Sequence, residues 1–261
     1  GIGYDIIDVD AASARRIWVA NVPDYCVDEV ADHTLMLLLA AARRLPTVAT
    51  AWRTAGRWVV TDLLPEIHRV RGRRLGVIGL GRIGRAVAVR ARALGLDVVG
   101  SDPLVPDDLA REAGVQLVDL DELVATSDIV TLHCPLTPGT HHLIDDRRLA
   151  ASARGLILIN ASRGGLVDLD ALDAAIASGH VAAAALDVLE GEPDPALDHP
   201  LFERPEVLVT PHVAWYSIEA RRDLALLAAD EALRFLRGER PRNVVNPDAR
   251  GAPSPGTLSG H

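Results

Sequence analysis

The chain has 261 residues, of which 49% are hydrophobic, 24% charged and 3% aromatic, which is typical of a globular protein and not of a disordered chain or a membrane bundle. A formal net charge of −9 disfavours a protein that binds nucleic-acid phosphates, and two cysteines are too few for a disulfide framework, so we expect a cytoplasmic protein without a nucleic-acid partner. All 27 basic residues are arginines, which excludes classes that need a lysine: Schiff-base enzymes, P-loop phosphate binders, protein kinases and short-chain dehydrogenases.

The first part of the chain predicts a strand over Arg15–Val19 followed by two helices. Val27–Arg44 has the acidic first turn and basic last turn of a helix, and its middle is apolar almost all round. We therefore expect this helix to be buried in this chain or against another. Its apolar run, Thr34–Ala42, is far shorter than the ~20 residues of a membrane span. Thr47–Trp58 predicts the second helix.

From Arg73 onward the pattern alternates between short apolar strands and helices, which predicts an α/β fold with a doubly wound parallel sheet. The predicted strands are Leu75–Ile78, Val98–Gly100, Val115–Val118, Ile129–His133, Leu156–Ile159, Ala182–Leu186 and Val207–Val209. The predicted helices are Arg82–Leu94, Asp107–Ala113, Leu120–Ala125, Asp146–Ala151, Leu169–Ser178 and Ile218–Arg237. The last residues, 248–261, are rich in Pro, Gly and Ser and predict a disordered tail.

A glycine-rich loop follows the first strand of this alternating part and opens its first helix. It matches the dinucleotide-binding pattern G-x-G-x-x-G, in which the glycines permit a tight turn and the helix N-terminus binds a pyrophosphate. The candidate cofactor-binding residues in the loop are Gly79, Gly81, Arg82, Ile83 and Gly84. Asp102 ends the next strand, where a carboxylate binds ribose hydroxyls and repels a 2′-phosphate, so we predict NAD and not NADP. The alternative is a glycine turn that binds no nucleotide.

Five motifs, in this order, resemble the D-isomer-specific 2-hydroxyacid dehydrogenase family, and the resemblance runs from Gly1 to about Pro247. The motifs are Gly79–Gly84, His133–Thr137, Asn160–Asp168, Ala185–Pro193 and Thr210–His212. Within the family, three further segments are similar to the C-terminal-binding-protein branch, which includes NAD-sensing transcriptional corepressors. These segments are Arg71-Gly72, His141–Ile144 and His212–Ser217.

The resemblance implies three catalytic residues, Arg163, Glu192 and His212, each just past a predicted strand. Arg163 would clamp a substrate carboxylate and polarise its 2-oxo group. His212 would exchange a proton with that oxygen, and Glu192 would orient the imidazole and stabilise its charged form. Taken singly, each residue has a plainer interpretation as an ion-pair, loop or turn residue; the ordered set favours catalysis.

The same resemblance implies further residues of the cofactor and substrate sites. Asp187 would face the nicotinamide amide, although a strand-end turn residue is the plainer interpretation. Cys134 would line the cofactor cleft without acting as a nucleophile, together with Ala161 and Ser162. Trp215 would contact the substrate side chain, unless it is a core tryptophan.

Three histidines raise the question of a metal site, and we predict none. No carboxylate or cysteine completes a usual ligand spacing around His133, His141 and His142, and the implied chemistry needs no metal. We expect His133 in a strand and the other two at the surface or in a turn.

The family has a flavodoxin-like substrate domain that comes mostly ahead of the nucleotide-binding domain, and the chain begins near the end of that segment. We expect residues 1–21 and 221–247 to be a remnant of the substrate domain and residues 22–220 to be the NAD-binding Rossmann domain, with residues 27–44 as a dimerisation helix. On this expectation the chain binds NAD and has weak or absent turnover.

The leading prediction is an NAD-dependent oxidoreductase that transfers a hydride between nicotinamide and a D-2-hydroxy acid or 2-oxo acid, active as a homodimer. The alternatives are an NAD(H)-sensing, corepressor-like scaffold without significant turnover and an inactive pseudoenzyme.

Overall fold

The computed structural model describes residues 1–249, which divide into two compact units. One unit joins residues 1–29 to residues 215–249, and the other is Val30–Ala214. The tail predicted over residues 248–261 lies almost entirely outside the described residues.

Seven parallel strands form one sheet in the larger unit, in the spatial order β3-β2-β1-β4-β5-β6-β7. This order confirms the doubly wound parallel α/β fold, because the chain starts in the middle of the sheet and winds outward in both directions. The strands are β1 (Arg74–Ile78), β2 (Asp97–Ser101), β3 (Gln116–Leu117), β4 (Ile129–Leu132), β5 (Leu156–Asn160), β6 (Val181–Leu186) and β7 (Val207–Val209).

Helices connect the strands and flank the sheet. They are α1 (Val9–Ala14), α2 (Val27–Ala42), α3 (Leu45–Ala55), α4 (Arg82–Ala93), α5 (Asp107–Glu112), α6 (Leu120–Thr126), α7 (Asp146–Ala151), α8 (Leu169–Ala177) and α9 (Ile218–Leu236). Short 3-10 turns cover Thr61–Leu63, Gly164–Leu166 and Pro200–Glu203. Within residues 1–249, none of the helices has both the length and the apolar character needed to cross a membrane.

The strands are apolar throughout because successive side chains enter the cores on opposite faces of the sheet. In β5, Ile157 and Ile159 pack into the core that contains α2 and α4, whereas Leu156 and Leu158 pack into the core that contains α6, α7 and α8. Burial on both faces explains why these strands read as continuous apolar runs.

Helix α2 is buried mainly within its own chain. Leu37 and Leu38 are fully buried in the core on the α4 side, and Leu35 and Leu39 pack against that core. Met36 is the exposed residue of this run. Helix α2 ends at Ala42, and α3 begins at Leu45. Pro46 fits in the first turn of α3 because the N–H that proline lacks is not needed there.

The smaller unit differs from its sequence prediction, since the strand expected over Arg15–Val19 is wrong. Helix α1 precedes this segment and is capped by Asp8, whose carboxylate accepts a hydrogen bond from the Ala11 N–H. Among the described residues of this unit, strand pairing is limited to one bridge between Ala20 and Val244. The buried Asn246 then ties the segment down, accepting from the Val19 N–H at 2.8 Å and donating to the Ile17 carbonyl at 2.9 Å.

Candidate active site

The loops after β1 and β4 meet at the carboxyl edge of the sheet, where the strand order reverses. The His133 N–H donates to the Ile78 carbonyl at 2.7 Å, which fixes the end of β4 beside the end of β1. Gly79 has a φ of +91°, and a Cβ at this position would lie 2.6 Å from backbone atoms of His133 and Cys134. The turn therefore requires glycine both for its conformation and for its space. A crevice at this reversal is the usual ligand site of open α/β sheets.

The N-terminus of α4 opens from this turn without a side chain to cap it. Gly81 is the N-cap residue, and a Cβ added to it would meet no described atom within 4 Å. Gly84 lies buried in the first turn with Ile83 half-buried and Arg82 exposed. The backbone N–H groups at this end can therefore receive an anion from solvent. This bare, glycine-lined helix end fits a dinucleotide pyrophosphate.

Asp102 lies just past β2 and is held against the glycine loop. Its two carboxylate oxygens each accept a backbone hydrogen bond at 2.8 Å, one from the Leu80 N–H and the other from the Leu104 N–H. The negative charge is consequently fixed beside the loop that would bind the pyrophosphate.

Cys134 and Ser162 face each other across the ends of β4 and β5. The Ser162 hydroxyl donates to the Cys134 carbonyl at 2.7 Å, and its neighbour Ala161 is half-buried. Burial raises the pKa of the Cys134 thiol to about 11, so the thiol stays protonated at neutral pH. A protonated, partly buried thiol agrees with a lining role and not with a nucleophile.

The Asp187 carboxylate is the centre of the second half of the site. It is 1% exposed and follows β6 directly. It accepts hydrogen bonds from the Thr210 hydroxyl at 2.5 Å and from the backbone N–H groups of Val213 at 3.0 Å and Ala214 at 2.9 Å. His33 of α2 is also close, with its Nε2 3.4 Å from the Asp187 carboxylate.

These contacts settle the charge of Asp187. Burial acts to raise its pKa, but the hydrogen bonds from His33, Thr210 and the N–H groups of Ala214 and Val213 outweigh burial and hold the pKa below its usual range. Asp187 is therefore an anion that binds the backbone of the loop after β7, residues 210–214, which we name the Asp187 loop.

His212 is fixed by that loop and paired with Glu192. Its N–H donates to the Asp187 carbonyl at 2.7 Å, and its φ of +53° is uncommon for a residue with a side chain. Its Nδ1 hydrogen-bonds to Glu192 Oε2, while Glu192 Oε1 accepts from the Leu189 N–H at 2.7 Å. With Nδ1 engaged, Nε2 is the nitrogen left to exchange a proton with a substrate.

Arg163 is connected to this loop through a residue that the sequence analysis did not single out. Asn160, at the end of β5, is buried; it donates to the Arg163 carbonyl at 2.8 Å and accepts at its own carbonyl from the Asp187 N–H at 2.8 Å. The half-buried Arg163 guanidinium also donates to the Ser162 carbonyl at 2.7 Å. Asn160 is the first residue of the motif Asn160–Asp168, so the sequence could have indicated it. His33 has no such signal, because it lies far along the chain from Asp187, the residue that it contacts.

The predicted substrate contact, Trp215, belongs to the smaller unit. Its ring centroid lies 6.2 Å from that of Tyr25 and 5.6 Å from that of Tyr216. The side chain is partly exposed, so it is not a fully buried core residue.

The three histidines considered for a metal differ in environment. His133 lies one residue past β4 and not within it, and its Nε2 is 3.0 Å from the Thr131 hydroxyl. Burial lowers the pKa of His133 to about 4, so it is neutral at pH 7. His141 and His142 lie in a turn, as expected, and Glu190, which no usual ligand spacing links to them, hydrogen-bonds to both rings.

Residues 35–214 match the family described as D-isomer specific 2-hydroxyacid dehydrogenase, NAD binding domain. A D-3-phosphoglycerate dehydrogenase of Methanocaldococcus jannaschii is 43% identical over 94% of the chain, which spans 46% of that relative, about half its length. A glyoxylate reductase of Korarchaeum cryptofilum is 41% identical over 98% of the chain and 77% of its own length. The crystal structure of a D-lactate dehydrogenase from Aquifex aeolicus, complexed with NAD and lactic acid, superposes with a TM-score of 0.85 at 30% identity, covering 94% of this chain and 78% of that one.

The Asp187 contacts predict a stability effect that depends on pH. Asp187→Asn would turn an amide toward backbone N–H donors, so we expect the free energy of unfolding at pH 7 to fall by ~1–3 kcal/mol. Because the folded pKa of Asp187 is depressed, its contribution is present above the ordinary aspartate range near ~4 and is lost as the pH falls below it. Urea unfolding at pH 7 and at a pH below ~4 measures this loss of stability.

The matched control is Asp170→Asn, which removes an exposed carboxylate that is paired with a histidine and should change the free energy of unfolding little. Equal stability of Asp187→Asn and the parent at pH 7 would contradict the prediction.

Proposed function

The chain belongs to the D-isomer specific 2-hydroxyacid dehydrogenase family, and from that premise we propose that it transfers a hydride between NAD and a small D-2-hydroxy acid or 2-oxo acid. The observation that carries the proposal is the His212–Glu192 pair, which the Asp187 loop holds at the same edge of the sheet as the glycine loop. NAD, when bound, would supply hydride exchange at its nicotinamide ring.

The protein's own part in this reaction is to bind the acid and to move one proton. Arg163 follows β5 and offers a planar guanidinium with paired N–H donors, which suits a carboxylate and the neighbouring 2-oxo oxygen. His212 donates a proton from Nε2 to that oxygen during reduction and removes it during oxidation. Glu192 is a positioning residue, since it acts on substrate through the His212 ring: it selects the tautomer and stabilises the imidazolium.

The proposed cofactor residues are those around the glycine loop and its neighbours. A pyrophosphate would lie at the α4 N-terminus, and a ribose would lie beside the fixed carboxylate of Asp102. The proposed set comprises Gly79, Gly81, Arg82, Ile83, Gly84, Asp102, Cys134, Ala161, Ser162 and Asp187. For Asp187, whose carboxylate oxygens are already bonded to its own chain, we propose that its main role is to position the loop before His212.

We also propose the domain roles given by the sequence. Residues 22–220 would be the nucleotide-binding domain, and residues 1–21 with 221–247 would belong to the substrate domain. The grouping of residues 1–29 with residues 215–249 into one unit supports this division. Trp215, in that unit, is the proposed contact for the substrate side chain. The two free cysteines, Cys26 and Cys134, agree with a reducing cytoplasm.

The corepressor-like alternative rests on the three segments similar to the C-terminal-binding-protein branch. The relatives at 43% and 41% identity carry the names of a dehydrogenase and a reductase, which favours the enzyme. Tight NADH binding without reduction of any 2-oxo acid in a broad panel would reverse this choice.

Substitutions at the proposed catalytic residues test the function. In steady-state reduction of glyoxylate or pyruvate by NADH, we expect His212→Ala to lower kcat by ~10²–10⁴-fold. Arg163→Ala should raise KM and lower kcat, because it removes the carboxylate clamp and the carbonyl polariser. Glu192→Gln should lower kcat with little change in KM, because the His212 ring loses the partner that orients it.

The matched control for these variants is His199→Ala. His199 is also paired with a carboxylate, 3.1 Å from Asp170, but it lies before a 3-10 turn outside the site. The His199→Ala substitution should leave kcat within about twofold of the parent value. A His212→Ala variant that keeps more than about a tenth of the parent kcat would contradict the proposed proton transfer.

Cofactor choice depends on Asp102 in this proposal. Asp102→Asn keeps an oxygen that can accept from the Leu80 or Leu104 N–H but removes the charge that repels a 2′-phosphate. We expect calorimetric titration to show NADH preferred by the parent, and the NADPH-to-NADH affinity ratio to rise by about tenfold, or 1.4 kcal/mol, in the variant. Asp107→Asn, an exposed carboxylate at the start of α5, is the control. A parent that binds NADPH as tightly as NADH would contradict the assignment.

We further propose a homodimer through α2 and the segment that follows it. Helix α3 has no buried residue, and Trp52 and Trp58 contact each other while Trp58 remains 81% exposed. Since α2 buries most of its apolar face internally, α3 and its continuation offer the larger apolar surface.

Light scattering should give twice the chain mass of 27.9 kDa. The double variant Trp52→Glu/Trp58→Glu should shift the protein toward the monomer, because it places charge in an apolar contact. Leu104→Glu, at an apolar residue that is 88% exposed elsewhere, should not change the mass. A monomeric parent at micromolar concentration would contradict the dimer.

A further inference from the structure

Two adjacent histidines and one glutamate form a compact cluster of possible metal ligands, which we name the His–Glu cluster: His141, His142 and Glu190. The imidazole rings stack, with centroids 3.9 Å apart and planes 23° from parallel. Their Nε2 atoms point to one carboxylate: that of His141 is 2.9 Å from Glu190 Oε1, and that of His142 is 3.0 Å from Oε2. All three ligand groups lie within 4.8 Å of one another.

The turn that carries the histidines is fixed by its backbone. The His141 N–H donates to the Thr137 carbonyl at 3.0 Å, and the His142 N–H donates to the Gly165 carbonyl at 2.8 Å. His142 has a φ of +48°, which places its side chain beside that of His141 instead of on the opposite side of an extended chain. The two rings therefore face the same way before any ligand binds.

Glu190 reaches the cluster from the loop after β6, which packs tightly on the loop after β5. A Cβ at Gly164 would lie 1.9 Å from the Leu189 carbonyl carbon and 2.1 Å from the Glu190 nitrogen, so the two backbones touch there. The Glu190 carboxylate is thus held on rigid backbone, as a metal ligand should be.

A second carboxylate stands behind one of the rings. Asp168 Oδ2 is 3.9 Å from Nδ1 of His142, on the opposite side of the ring from Glu190. On metal binding, Nε2 of His142 would give up the proton that it shares with Glu190, and the nearby Asp168 carboxylate would favour the tautomer protonated at Nδ1.

From this geometry we propose that the His–Glu cluster binds a divalent transition-metal ion of the Zn²⁺ class. Two imidazole nitrogens and one carboxylate are donors suited to zinc, copper or nickel, and they leave a coordination position for water. The cluster is open to solvent, because the side chains of His141, His142 and Glu190 are 50%, 35% and 45% exposed. None of the three residues is among the proposed catalytic or cofactor-binding residues, so the proposal does not depend on the protein's being a dehydrogenase.

Binding of zinc to the full, tag-free chain tests the proposal. After removal of metals with a chelator, isothermal titration with ZnCl₂ should show one saturable equivalent. His141→Ala and His142→Ala should each weaken that equivalent at least ~10-fold, as should Glu190→Gln. His68→Ala is the matched control, since His68 is exposed with a carboxylate 3.8 Å away, and no second histidine within residues 1–249 joins that pair.

Cobalt gives an independent readout, because its visible absorption reports the number and type of ligands. Titration with Co²⁺ should produce a spectrum that His142→Ala abolishes and that added Zn²⁺ displaces. The absence of a saturable zinc equivalent in the parent would overturn the proposal. So would unchanged zinc affinity in His142→Ala; if that variant also melted at a lower temperature, the cluster would be an ion pair that holds two loops together and not a metal site.

Discussion

A buried negative charge must be satisfied by its surroundings, and at Asp187 this requirement organises the candidate site. An unpaired carboxylate in the protein interior is costly, so three donors from the segment after β7 converge on it, and His33 approaches it from α2. Those hydrogen bonds determine the path of the chain through His212. This path places the His212 ring beside Glu192.

The sheet and its glycine loop could be predicted from the sequence because their signals are local. Apolar runs such as Leu156–Ile159 are explained by burial on both faces, and Gly79 marks a turn that tolerates no side chain. The catalytic candidates could be placed at strand ends by the same logic, with the resemblance to a family supplying their roles.

The errors occurred where contacts between distant residues decide the structure. Arg15–Val19 is apolar enough for a strand, but the N–H groups of residues 15–17 donate to carbonyls of α1. Asn246, near the other end of the described chain, binds the Ile17 carbonyl and the Val19 N–H. Glu190 could not be assigned to His141 and His142 because the approach of their loops depends on Gly164. The contact of His33 with Asp187 could not be predicted for the same reason, because the two residues are far apart in the sequence.

The way in which Asp187 holds the loop has a consequence for divergence among relatives. Val213 and Ala214 donate to the Asp187 carboxylate through their backbone N–H groups, which every residue except proline possesses. Exchanges of the side chain at the exposed position 213 need not loosen the anchor of the neighbouring histidine. A lineage can therefore alter the surface beside His212 by single substitutions while the geometry of the His212–Glu192 pair is inherited unchanged.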